Sequence, residues 1–376
     1  RSGTQDYYNL SVTDPYFTID GVSRGYNVYY RKTKLSKEYN VNNYVTDSVG
    51  GSLSFGYPID ENQNVSASLG IDQTKVRTGP SVSTYIRDYL LANGGKATAQ
   101  STWCPSGKNT KDDDQKDVAG TCEGGFAAYD SAFEGTFLTY TLNLGWSYNT
   151  LNRPVFPTSG MSHRVGLEVG LPGSDVDYQK MTYDAQAFKS LPMGFVLRGY
   201  GKLGYGNDLP FYKNFYAGGY GSVRGYDNSS LGPKYPSVIF QETGKNDPAR
   251  EKVGGNALIQ FGTELALPLP FKGDWARQVR PVLFAEGAQV FDTKCDISNS
   301  AYGEKGMIIN GQKISDVKQY CKDNYGLDFG NMRYSVGVGF TWITMIGPLS
   351  LSYAYPLNEK SGDNTKSIQF EIGRTF

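Results

Sequence analysis

The sequence predicts an all-β chain folded as a transmembrane antiparallel β-barrel, on three observations. Its 376 residues fall again and again into period-2 alternation. The runs are about 9–12 residues long, enough to cross a bilayer at a tilt, where soluble strands average about 5–6. Short and long polar connections alternate along the chain, the pattern of outer-membrane barrels. No apolar run approaches the roughly 18 residues of a spanning helix, which excludes a helical membrane protein and leaves a barrel open.

Residues 48–57 set Val49, Gly51, Leu53, Phe55 and Tyr57 on one face against Ser48, Gly50, Ser52, Ser54 and Gly56. Residues 137–148 repeat this with Leu138, Tyr140, Leu142, Leu144, Trp146 and Tyr148. In 163–171 the apolar set is Val165, Leu167, Val169 and Leu171; in 333–344 it is Tyr334, Val336, Val338, Phe340 and Trp342. Residues 349–355 and 368–376 behave alike. One face is apolar with aromatics toward its ends; the other is small, polar and often charged. A soluble sandwich would bury the apolar face, whereas a membrane barrel shows it to lipid. Alternation alone does not choose between them, but strand length and connections favour the barrel. Short turns fall near 58–64, 190–194 and 346–348, and long connections near 75–131, 207–254 and 293–331. The strand count is about thirteen, where closed bacterial barrels have an even number.

Composition agrees. The chain has 29 Tyr, 19 Phe and 46 Gly, which suits strands whose aromatics sit at a polar boundary. Lys plus Arg equals Asp plus Glu at 37 each, so no electrostatic case exists for nucleic acid. The length allows two ordinary domains or one large all-β domain; residues 1–376 are expected to form one barrel domain. Four cysteines occur, Cys104, Cys122, Cys295 and Cys321. Each pair lies in one long connection, so local pairing, Cys104 with Cys122 and Cys295 with Cys321, is favoured among three connectivities. No CxxC or histidine partner points to a metal, and the expected compartment is oxidising.

Residues 211–226 read FYKNFYAGGYGSVRGY. They are too irregular for a strand and combine aromatics, glycines that permit φ > 0 and Arg224. Such a loop is suited to being held against a wall, although a solvated arginine is the plainer alternative. A buried guanidinium needs carboxylates. In 257–267, Ile259, Phe261, Leu265 and Leu267 mark the outward face, so Glu264 has inward parity. At the C-terminus Ile368, Phe370 and Ile372 alternate up to Phe376, and Gly373 weakens and kinks the strand. His163, the only histidine, sits at a strand start and is expected neither to catalyse nor to bind metal. No Ser/His/Asp set, phosphate loop or dinucleotide motif occurs. Neither enzymatic bond-making nor a cofactor is expected, and the acid run 112–114 reads as solvated loop.

The run Val223-Arg224-Gly225-Tyr226 with its lead-in PFYKNFYAGG at 210–219 is specific. Together with LSVTDPYF at 10–17, Phe156-Pro157-Thr158 and IGRTF at 372–376, it resembles the barrel domain of the BamA family of outer-membrane protein assembly factors. The resemblance spans essentially the whole chain. It implies a 16-stranded barrel in the outer membrane of a Gram-negative bacterium, with long extracellular loops and the sixth loop folded into the lumen. It places Arg224 inside the barrel against Glu264 and Glu286, the latter in a strand of weak alternation. It implies a lateral seam at the last strand, carried here by Ile368, Phe370, Ile372, Gly373 and Phe376. There client strands would add by β-augmentation without nucleotide. Implied partners are nascent outer-membrane proteins, accessory lipoproteins, the lipid bilayer and lipopolysaccharide. Two departures stand out: Tyr7 aligns in about the fourth strand, so strands one to three are expected to be absent, and so are the preceding POTRA domains. Arg1-Ser2-Gly3 does not read as a natural start, and a chain lacking strand one is not expected to catalyse assembly by itself. A related secretion or autotransporter-assembly barrel is the alternative, and a passive porin a further one.

Overall fold

Among the described residues thirteen strands follow one another around a single antiparallel wall. The computed structural model describes residues 5–34, 44–79, 82–99, 131–235, 237, 251–269, 278–295, 307–309, 312–345, 347–360 and 362–373. The wall runs β1 (Gln5–Asp14), β2 (Ser23–Lys34), β3 (Tyr44–Pro58), β4 (Gln63–Thr78), β5 (Ser131–Asn149), β6 (Gly160–Gly170), β7 (Gln179–Ser190), β8 (Val196–Asn207), β9 (Ala257–Ala266), β10 (Val279–Phe291), β11 (Arg333–Thr344), β12 (Gly347–Pro356) and β13 (Ile368–Ile372). Each pairs with the next, and a short strand, Lys96–Ala99, adds to the outer end of β5. Among the described residues β1 and β13 do not pair, so the wall is open at that join.

Side-chain alternation sets the two faces. Leu144, Leu167, Leu283, Phe340, Leu351 and Phe370 all stand exposed on the outside, which in water would be a very large apolar surface. At the end carrying the short turns, Trp146, Tyr148, His163 and Tyr183 stack in a row with centroids 6.1–6.4 Å apart. Such a row is the aromatic girdle of a membrane boundary. His163 belongs to it, its Nδ1 lying 2.9 Å from the Tyr183 hydroxyl. The inner face is small where loops pack on it. On β11 it presents Ser335, Gly337, Gly339 and Thr341; a Cβ at Gly337 would lie 2.5 Å from Phe284 Cζ. Only glycine leaves Phe284 its place.

Several strands outrun the expected length: β4 has 16 residues and β5 has 19. Their outer halves leave the bilayer and enter a dome built by the long connections. Val76 of β4 and Phe133 and Phe137 of β5 are buried there with Val82, Ile86 and Leu90. The last three sit on or just before α1 (Thr84–Ala92), which Ser83 caps by accepting a hydrogen bond from the Ile86 N–H. A second helix, α2 (Val317–Tyr325), starts at Asp316, whose carboxylate accepts from the Gln319 N–H at 2.9 Å. The structure pairs Cys295 with Cys321 and thereby ties α2 to the end of β10. Cys104, Cys122 and the acid run at 112–114 lie outside the described residues. Asp292 stands beside Cys295 and Cys321, but both sulfurs are spent in the disulfide and offer no thiolate.

Candidate functional site: a loop held in the lumen

The connection from β8 to β9 enters the barrel at once. Phe211–Lys213 make one 3-10 turn, and Phe211 is fully buried against Tyr44 and Tyr89. Phe215 then exchanges backbone hydrogen bonds with Gly255 at 2.8 and 3.1 Å, closing the loop upon itself. Gly218 takes φ +104, and a Cβ there would meet the Asp227 carbonyl at 2.5 Å. Gly225 takes φ +91 with Ala354 and Pro356 of β12 against it. Between these bends Arg224 is aimed at the wall. Residues 211–226 are irregular as expected except for Gly225–Tyr226, which form a two-residue strand with Thr365–Lys366 of the last outer loop.

Arg224 is 2 % exposed. Its backbone N–H donates to Glu286 Oε2 at 2.7 Å and its Nε to Glu286 Oε1 at 2.8 Å. Its Nη2 donates to Glu264 Oε1 at 2.7 Å and to Glu286 Oε1 at 2.5 Å. The guanidinium also lies over the Phe284 ring, 3.5 Å from the centroid, so its uncharged face is packed while its edge is bonded. The structure thus brings Arg224, Glu264 and Glu286 together on β9 and β10.

Two members of the cluster escaped the sequence reading. Arg198 lies directly opposite Glu264 across the β8–β9 pair and donates from Nη1 to Glu264 Oε2 at 2.9 Å and from Nη2 to Gln186 Oε1 at 3.0 Å. The Tyr200 hydroxyl donates to Glu286 Oε1 at 2.5 Å. The parity of β8, with Leu197, Leu203 and Tyr205 exposed, would have marked both as inward. Two carboxylates therefore meet two guanidiniums, and the buried charge cancels. Each carboxylate oxygen accepts from a donor, so the cluster holds a loop and leaves no free base for proton transfer. Pairing of this kind keeps the desolvation cost of four charges bearable.

Further along, the loop is tied to the hairpin between β12 and β13. The Asp227 N–H donates to the Asn364 carbonyl at 2.8 Å. Asp363 accepts from Arg333 Nε at 2.5 Å and lies 3.5 Å from Lys234 Nζ. Burial pushes the Asp363 carboxyl up, but the Arg333 guanidinium, the Lys360 N–H and the Lys234 ammonium outweigh it and hold it below the usual carboxylate range. Near its entry the loop has another tie, Lys213 Nζ on Glu168 of β6, with Lys180 Nζ donating to the Lys213 carbonyl at 2.7 Å.

The remaining candidate residues stand apart, on β13. Ile368, Phe370 and Ile372 face outward, each about three-fifths exposed. Gly373 leaves the strand at φ +87, its N–H donating to the Pro348 carbonyl at 2.8 Å. The strand thus ends at Ile372, and Phe376 lies outside the described residues.

The model of the Omp85 superfamily domain matches residues 1–376. The outer membrane protein assembly factor BamA of Neisseria meningitidis serogroup B is 32% identical over 383 residues, an alignment covering 100% of this chain and 42% of that protein. Sorting and assembly machinery component 50 homolog B of Xenopus laevis is 28% identical over 236 residues, covering 60% of this chain and 43% of that protein. Among solved structures, BamA from Haemophilus ducreyi lacking POTRA domains 1–3 superposes with a TM-score of 0.77 at 29% identity, over 100% of this chain and 63% of that one. This chain spans less than half the length of these two curated relatives.

Proposed function

We propose that this chain, which belongs to the Omp85 superfamily, is the membrane barrel of an assembly factor that folds and inserts other β-barrels into the outer membrane. It is a barrel of the Gram-negative outer membrane, and residues 1–376 act as one barrel domain. The observation that carries the reading is the lumen itself: a loop pinned by Arg224 on Glu264 and Glu286 occupies the space a diffusion pore would leave open. The work is then done at the wall, at the last strand β13, which the family resemblance makes one side of a lateral seam. An unpaired strand edge carries backbone donors and acceptors that can template an incoming strand. Its outward face, Ile368, Phe370 and Ile372, keeps the joining strand in register with lipid. Insertion of this kind exchanges hydrogen bonds and needs no nucleotide and no bond-making chemistry. Nascent outer-membrane proteins are the clients, accessory lipoproteins the partners, and the bilayer with its lipopolysaccharide the medium.

Reconstitution tests this. The protein, purified intact from its native membrane, is placed in liposomes and several unrelated unfolded barrels are added without nucleotide. Folding of each client should be faster than in protein-free liposomes. Acceleration of a single client, or a steady ion conductance with no acceleration, refutes the proposal.

A further inference from the structure

The Tyr226 backbone carbonyl, two residues beyond Arg224, accepts a hydrogen bond from Gln369 Nε2 at 2.6 Å. Gln369, the second residue of β13, faces inward with Glu371 and is 5% exposed. The orientation of its amide follows from chemistry: a carbonyl can only accept, so the nitrogen faces it. Around this bond the same two segments meet repeatedly. Gly225 and Tyr226 pair in register with Lys366 and Thr365. Tyr226 is fully buried, and Gly225 packs on Ala354 and Pro356 of β12.

From this contact we infer that the lumen loop braces the terminal strand, and that Gln369 is the positioning residue that transmits the anchor to it. The inference rests on the assembly reading for its significance and on geometry alone for its content. β13 (Ile368–Ile372) is the last described strand of the wall and bonds to β12. Its outer face meets lipid, so bracing from within must come through inward side chains, and Gln369 supplies a buried, directional bond. Arg224 fixes the loop to β9 and β10, and two residues later the loop grips β13. The anchor and the last strand thus become one mechanical unit, in which the grip limits how far β13 swings.

The test is amide hydrogen exchange of residues 368–372 in lipid nanodiscs, which does not depend on client assembly. Gln369→Leu keeps bulk and removes the donor; Gln369→Met keeps length and shape and also cannot donate. Both should exchange faster across β13 by about tenfold, the scale for a buried carbonyl left without its donor. Protection of 211–224 should stay native. Arg224→Ala should also accelerate β13, and adding Gln369→Leu to it should do little more, because both cut one connection. A native exchange rate in Gln369→Leu overturns the inference. So does a native rate in Gln369→Met, which would make the contact one of packing, or a native rate at β13 in Arg224→Ala. If Gln369→Leu does not fold, the other two variants still decide.

Discussion

Arg224→Ala frees the lumen loop. The substitution removes a guanidinium that is bonded twice to Glu286 and once to Glu264, and leaves Glu286 buried with only the Tyr200 hydroxyl as a side-chain partner. Glu264 keeps Arg198. Breaking one side of a desolvated ion pair costs about 3–5 kcal/mol, because the partner left behind must be buried charged or take up a proton. The loss falls on the loop, since the wall strands keep their ladders. Limited proteolysis should therefore show cleavage within 207–257 appearing two to three orders of magnitude sooner, as roughly 1.4 kcal/mol corresponds to tenfold, while the strands stay intact. Arg224→Lys should fall between, because an ammonium cannot span both carboxylates in the plane over Phe284. Unchanged protease resistance in Arg224→Ala would mean that the loop is held elsewhere, with Lys213 on Glu168 the first place to look.

Loss of the Cys295–Cys321 bridge loosens the dome without freeing the anchor. The bridge spans 26 residues and both cysteines are buried. It holds α2 where Tyr325 packs edge-on against Tyr235, itself stacked on Tyr85 at 5.3 Å. Removing a cross-link over such a loop costs about 2–4 kcal/mol, and the cost falls on α2, which the bridge ties to the end of β10. In a Cys295→Ser, Cys321→Ser double variant, trypsin should cut at Lys318 and Lys322 well before it cuts in the untreated native chain. Residues 211–226 should remain protected. If both regions open together, dome and anchor form one cooperative unit.

The faces of the wall were legible in the sequence because side-chain parity is strict in a strand. Tyr140 and Leu144 of β5, Leu167 of β6 and Val336, Val338, Phe340 and Trp342 of β11 are exposed as alternation placed them, and Glu264 was placed inward by the same rule. What parity cannot supply is the partner across the lumen. Arg198 and Tyr200 had inward parity, but nothing local ties them to acids 66 and 86 residues away. The Gln369 bond to Tyr226 spans 143 residues and joins a loop to a strand. Glycine at 225 hinted at a close approach, but not at the surface it approaches. Strand lengths were underread at β4 and β5 because their outer halves trade lipid for the dome. Alternation there continues with inward aromatics such as Phe137, so periodicity does not mark where the membrane stops. Gly373 leaves the last strand at φ +87, and residues 374–376 lie outside the described residues.

General assembly is tested most directly by depletion in the parent organism. The protein is run down under a repressible promoter and the outer-membrane proteome is quantified before growth fails. The expected result is a concerted fall in many barrels of unrelated sequence and strand number. Loss of one secreted or surface protein, with all other barrels at their normal level, would contradict the account and assign the chain to a dedicated export pore.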